Sequence, residues 1–269
     1  MAARALTSVT IAPSVMTDVG RRGGAHRPAR LLAGSHTMVL HDPGGGVGSR
    51  HAHPAWTILV PLAGYIEWWT GQCPGWRTAG VIFPPRVAYR ATSAVGHIAV
   101  FIDPWFQGLG PGRHAAVPLD PATVEHLRAV WSRVDVADLD EITRQTVTYL
   151  RRRDLLPPAL PIDPRVAAAL RSLPAAERID HVAVGVGMSP SRLRTLVHDL
   201  TGTSPARLRT WQRLRTAMFS LTDKPIALAA ADAGFADQAH LTRTANRLLG
   251  QTPATWRAWA GVVEQCEPA

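Results

Sequence analysis

The sequence predicts an α+β chain: an N-terminal β domain with linker helices, then an all-α domain built from two helix-turn-helix units. Three observations carry this. Short apolar runs split by Gly and Pro turns fill Leu31 to about Trp105. A Pro-rich segment, Leu155 to Pro161, separates the halves. Beyond it, one pattern is written twice: Ser189/Asp237, Leu193/Leu241, Leu200/Leu248, Gly202/Gly250, Pro205/Pro253 and Arg209/Arg257 all stand 48 positions apart. A fixed offset shared by a cap residue, apolar positions, a Gly and a Pro marks one folding unit used twice.

The 269 residues suffice for two cores. With 46% hydrophobic residues and a net charge of +9, the chain reads as a basic globular protein suited to an anionic partner. Eleven Lys/Arg against five Asp/Glu lie between Arg178 and Arg257, so the surplus sits on the repeated unit. Lys224 is the only lysine, an Arg preference that a GC-rich genome also produces. Cys73 and Cys266 are far apart with no CxxC pattern, which predicts reduced thiols. No apolar run approaches a membrane span, and the N-terminus lacks a signal-peptide core, so the expected location is cytoplasmic.

In chain order, residues 1–30 read as an aperiodic lead with an early strand at Val9 to Ile11. Residues 31–156 form the predicted β domain. Its strand runs are Thr37–Leu40, Trp56–Pro61, Tyr65–Trp69, Gly80–Phe83 and Ile98–Ile102, closely spaced as in a sandwich or small barrel. His51-Ala-His53-Pro54 lies between a Gly-rich turn and a strand. On a strand such a pair shares one face, but two imidazoles do not complete a metal site; His51 and His53 are otherwise hydrogen-bonded groups at a barrel mouth. Of Trp56, Trp68, Trp69, Trp76 and Trp105, most are expected in the core, with Trp68 and Trp69 on opposite faces. Residues 107–118 read as a loop. Asp120 and Pro121 open a helix to Trp131, and a second runs from Leu139 to Arg153. Residues 121–153 could pack on their own domain or form a homodimer surface. Residues 157–162 are the linker.

Residues 163–261 form the helical domain, followed by a tail, 262–269. Asp163 caps a helix from Pro164. A short helix (Ile179 to Val186) precedes a candidate recognition helix, Pro190 to Leu200, capped by Ser189 and ended at Gly202. Pro205 opens a long connecting helix to Leu221. The second unit follows as Ile226 to Ala233, then Asp237 to Leu249, ended at Gly250; Pro253 opens the last helix. The second helix of such a unit is the one that enters a DNA major groove.

These residues, namely Ser189-Pro-Ser-Arg-Leu193, Gly202-Thr-Ser-Pro205, Arg213-Leu-Arg215, Gly234-Phe-Ala-Asp-Gln238, Leu241-Thr-Arg243 and Gly250-Gln-Thr-Pro253 with Arg257, resemble the AraC/XylS family of bacterial transcription regulators over residues 163 to 260. Ala245-Asn246 stand where that family commonly has Phe-Lys, and Leu196-Val197 where Phe is frequent. More loosely, His51 to Tyr89 resembles the cupin barrel of bacterial sensor domains. The resemblance implies a sequence-specific DNA-binding regulator whose two units enter successive major grooves. It further implies that a small-molecule effector or the dimer state of the N-terminal domain would set whether they engage, with RNA polymerase as a partner if the protein is an activator.

Helix geometry assigns roles. Leu193, Leu196, Val197 and Leu200 form one buried stripe, and Leu241, Ala245 and Leu248 the other. Base edges are read from early turns, which selects Ser191, Arg194 and Thr195, then Gln238, Ala239, His240 and Arg243. Arg192, Thr242 and Arg247 are assigned to phosphates. No cofactor is expected. No GxSxG, phosphate-binding Gly loop or paired-carboxylate motif is present. The competing readings are a metal-dependent cupin enzyme, which needs a third ligand near His51 and His53, and a scaffold that has lost DNA binding.

Overall fold

The computed structural model describes residues 9–11, 29–42, 44, 49–71, 75–112, 115–176 and 178–265; Cys73, Cys266 and most of the N-terminal lead lie outside them. The strands are β1 (Val9–Ile11), β2 (Ala29–Ala33), β3 (Thr37–Asp42), β4 (Trp56–Pro61), β5 (Ile66–Thr70), β6 (Gly75–Thr78), β7 (Gly80–Phe83), β8 (Tyr89–Ser93), β9 (His97–Ile102) and β10 (Val117–Leu119). Helices α1 (Pro121–Trp131) and α2 (Leu139–Arg152) follow. The helical half comprises α3 (Pro164–Ser172), α4 (Ile179–Gly185), α5 (Pro190–Thr201), α6 (Pro205–Ser220), α7 (Ile226–Asp232), α8 (Gln238–Leu249) and α9 (Pro253–Trp259), before a last strand, β11 (Ala260–Gln265).

The strands form two sheets, β1-β6-β5-β8 and β10-β7-β4-β9-β3-β2-β11. The larger sheet is covered on both faces. On one side Ile58, Val60, Ile98 and Val100 meet Val124, Leu127 and Trp131 of α1 and Val147 and Leu150 of α2. This is why Trp56–Pro61 reads as a continuous apolar run and is buried at every position. Both helices thus lay their apolar stripe on their own sheet, with Asp120 capping α1 through the Thr123 amide (2.9 Å). The other sheet face holds Met38, Leu40, Leu59 and Phe101, which meet Ile66 and Trp68 of the smaller sheet. Trp68 is buried and stacks on Trp76, while Trp69 is half-buried, as alternation requires.

Two features depart from the reading of separate halves. The stretch expected to contain the tail forms β11, which pairs in parallel with β2, Val263 opposite Leu31. The inner sheet face also shares one apolar cluster with the second helical unit: Trp211, Leu214 and Met218 of α6, Leu241 and Leu249 of α8, and Trp256 of α9 join Leu40, Leu59 and Phe101. The first helical unit has its own core of Leu170, Val182, Leu193, Val197 and Leu208, entered by Trp105 from the sheet domain. No helix among the described residues is long and apolar enough to cross a membrane.

Candidate nucleic-acid interface

Helices α5 and α8 are built alike, each 12 residues long. The Ser189 hydroxyl accepts from the Arg192 amide (3.2 Å), and Asp237 Oδ1 from the His240 amide (2.6 Å). Both end on a left-handed glycine, Gly202 and Gly250, each with φ 68°. Leu193, Val197 and Leu200 face inward on α5; Leu241, Thr244, Ala245 and Leu249 do so on α8, with Leu196 and Leu248 half-buried.

The opposite faces carry the residues assigned to DNA. Ser191, Arg192, Arg194 and Thr195 are exposed, as are Gln238, Ala239, His240, Arg243 and Arg247. Thr242 is only half-buried, and its hydroxyl donates to the Gln238 carbonyl (2.9 Å), so it is less open than its helix position suggests. Thr195 likewise donates to Ser191 (3.2 Å). Arg194 holds Asp180 of α4 at 2.7 Å, an exposed pair worth at most about 1 kcal/mol, which a base edge can replace. His240 packs edge-on against Phe235, which orients its ring.

The sequence reading did not separate these arginines from structural ones. On α6, Arg213 donates to the carbonyls of Pro174, Ala176 and Gly234, and Arg209 to that of Ala176. Burial and the neighbouring Arg209 charge push the Arg213 guanidinium below its ordinary value. Arg215 is buried against Asp103 (2.9 Å) and also donates to the Gly34 and Thr37 carbonyls of the sheet domain. Three of the eleven basic side chains counted from the sequence therefore tie the fold together, leaving a smaller surplus for an anionic partner.

The same geometry links both reading helices to the sheet domain. Arg86 donates through Nη1 to the Gly202 carbonyl, and the Ser49 amide and hydroxyl donate to the Gly250 carbonyl (3.2 and 3.1 Å). The paired glycines at the two helix ends are thus the docking points. The first turns lie at the other end of each helix, about 18 Å of rise away. A Cβ on Gly250 would sit 2.5 Å from the Ser49 carbonyl oxygen, so close approach as well as the positive φ requires glycine.

His51 and His53 form the seam. Their rings stack at 5.9 Å, and His51 forms a bridge with Tyr89 rather than lying in a strand. His51 Nδ1 donates to the Ser49 carbonyl (2.8 Å). His53 is 4% exposed; its Nδ1 accepts from the Ala55 amide (3.3 Å), and its Nε2 faces Thr57 and Tyr89. Its ring stacks on Trp211 of α6 at 5.0 Å. Burial holds both imidazoles below their ordinary value, and the charge of His51 adds to this at His53. No cluster of three or more His, Cys, Asp or Glu side chains suited to a metal occurs among the described residues. Beside this seam, a cavity of about 70 Å³ lies between the inner sheet face and the α8–α9 corner.

Comparison with known proteins places this geometry. A helix-turn-helix domain family matches residues 182–258. The apo form of a ToxT variant from Vibrio cholerae superposes with a TM-score of 0.58 at 10% identity, covering 85% of this chain and 99% of that one. Wild-type ToxT from Vibrio cholerae bound to an unsaturated fatty acid gives 0.55 at 11% identity, covering 89% and 98%. An AraC-type DNA-binding transcriptional regulator from Chromobacterium violaceum is 28% identical over 35% of this chain and 90% of its own, with a TM-score of 0.34. No curated protein matches.

Proposed function

We propose that this chain, a DNA-binding transcription regulator whose residues 182–258 are an AraC-type helix-turn-helix domain, reads one asymmetric operator with α5 and α8. The observation that carries the reading is the pair of equal, capped helices whose exposed first turns lie opposite glycine ends docked on one sheet domain. Ser191, Arg194 and Thr195 read one major groove; Gln238, Ala239, His240 and Arg243 read the next, about 34 Å along the duplex. Arg192, Arg247 and, with a smaller share, Thr242 hold phosphates. The two sets differ in chemistry, so the site is not a palindrome.

The sheet domain is the sensor. It touches both reading helices, so a small molecule that shifts it alters their spacing. Two structures of the same fold are solved with small carboxylic acids, an unsaturated fatty acid and (E)-4-(8-methylnaphthalen-1-yl)but-3-enoic acid, which supports a ligand-responsive role for this domain. The polar outer side of α1 and α2, within residues 121–153, is the surface for a second copy, and RNA polymerase is the partner if transcription is activated. The protein works where the chromosome is, in the cytoplasm. Selection of bound DNA from a random pool tests the proposal. Enrichment of two unlike half-sites one turn apart is expected; a pool that stays random at fixed salt rejects it.

A further inference from the structure

The polar end of the cavity has no assigned role. Leu40 and Asp42 alternate onto the inner face of β3, and His97, Ala99 and Phe101 onto that of β9, with Asp42 directly opposite His97 in the register. Asp42 is 8% exposed. Leu249, Gln251 and Trp256, all from the second helical unit, close the far wall. Two ring nitrogens on this lining, His97 Nδ1 and Trp256 Nε1, are buried with no hydrogen-bond partner. Buried polar atoms are rarely left so, and both residues belong to the cavity wall. About 10–15 Å³ accommodates one water, so 70 Å³ takes a guest of about five non-hydrogen atoms.

The lining decides its chemistry. Among the described residues no Lys or Arg contributes to the cavity. The charged and titratable groups facing it are Asp42 from β3, His97 from β9, and His51 and Tyr89 from the seam, with His41 close enough to act on His97. Burial holds the two imidazoles toward neutrality and the Tyr89 hydroxyl toward its protonated form, and among the described residues Asp42 is the one acidic side chain on the lining. A carboxylic acid would meet Asp42 and no counter-charge. An ammonium would donate to Asp42 and His97, face the aromatic rings of Tyr89 and Trp256, and lay its stem along Leu40, Leu59 and Ile66.

We infer that this cavity binds a small primary amine with a short apolar stem, seated on Asp42 and His97 and closed by Trp256 of the second helix-turn-helix unit. The inference rests on the reading of the sheet domain as sensor. Because one wall belongs to α8 and α9, occupancy bears directly on the second unit and not on the first.

The test titrates the full chain with n-butylammonium, butyrate and 1-butanol, following tryptophan fluorescence and melting temperature, and repeats the series on Asp42→Asn and Ala99→Leu. Saturable binding of n-butylammonium, with butyrate and butanol at least 10-fold weaker and with loss in either variant that melts cooperatively, is the expected result. Equal response to all three, no response, or full retention in both variants overturns it. Specific DNA selected by the same preparation without any amine response sinks this inference alone. An amine response together with a random DNA pool sinks the regulator reading and leaves the site standing.

Discussion

Arg243 and Arg247 stand one turn apart on the exposed side of α8, without an ion-pair partner among the described residues. They differ in depth along the helix, and that decides their role. Arg243 lies nearer the first turn, where a guanidinium reaches guanine edges; Arg247 lies nearer the end, beside the backbone. Arg243→Ala should cost about 1–3 kcal/mol on the selected operator and relax one base position. Arg247→Ala should weaken all DNA alike and reduce the salt slope by about 0.9. Binding curves against operator and random duplex at three salt concentrations check both; identical behaviour of the two variants would refute the assignment. His53 makes a different prediction. It is buried neutral, with its folded value lowered below the unfolded 6.5. Below pH 6.5 the unfolded chain therefore binds a proton that the folded chain refuses, and stability falls as the pH drops, by up to about 1.4 kcal/mol per pH unit for this one group. Urea melts at pH 7.5 and 5.5 should show the loss, and His53→Gln should flatten it.

Among the elements, those with a local cause were legible. Asp120, Asp163, Ser189 and Asp237 each cap the helix expected of them, because a cap is a one-residue event written in one residue. Asp237→Ala should cost about 0.5–2 kcal/mol, most of it in unfolding of the second unit, as hydrogen exchange on α8 against α5 would reveal. The elements missed lack such a cause. Gly75–Thr78 is a four-residue strand with one buried position, and Tyr89–Ser93 is half-buried through its middle. Val117–Leu119 overlaps the end of the stretch read as a loop, with Pro118 at its centre. Strand β11 pairs with a partner some 230 positions earlier, a contact no local window contains. The candidate site divides in the same way. Exposure of the reading faces followed from periodicity, but the inward pull on Arg209, Arg213 and Arg215 comes from carbonyls and a carboxylate supplied by distant turns.

At the scale of the molecule, the linker suggested two bodies, yet α6 is anchored in the sheet domain. Asp103 accepts from Trp211 Nε1 (3.3 Å) and from Arg215 (2.9 Å), with Trp211 buried completely, the Asp103 side chain 1% exposed and that of Arg215 9%. Helix α6 also carries the first unit at its start and the second at its end, so this anchor fixes both units to the sensor at the point between them. A buried pair of this kind punishes half-removal: one charge left alone costs about 3–5 kcal/mol, whereas an apolar pair of similar volume is often neutral. Arg215→Met and Asp103→Leu should each lower stability by that order, and the double variant should recover most of it. The functional consequence separates anchoring from simple folding. In the double variant the apolar contacts of Trp211 and Leu214 remain, but the directional bonds from α6 to Asp103, Gly34 and Thr37 are gone. Each recognition helix is intact, so binding to an isolated half-site should be unchanged. Binding to the full two-groove operator should fall about tenfold, the equivalent of about 1.4 kcal/mol of lost preorganisation. Equal affinity of the double variant and the parent for the full operator would mean that the helical domain sets its own spacing and that the anchor serves stability alone.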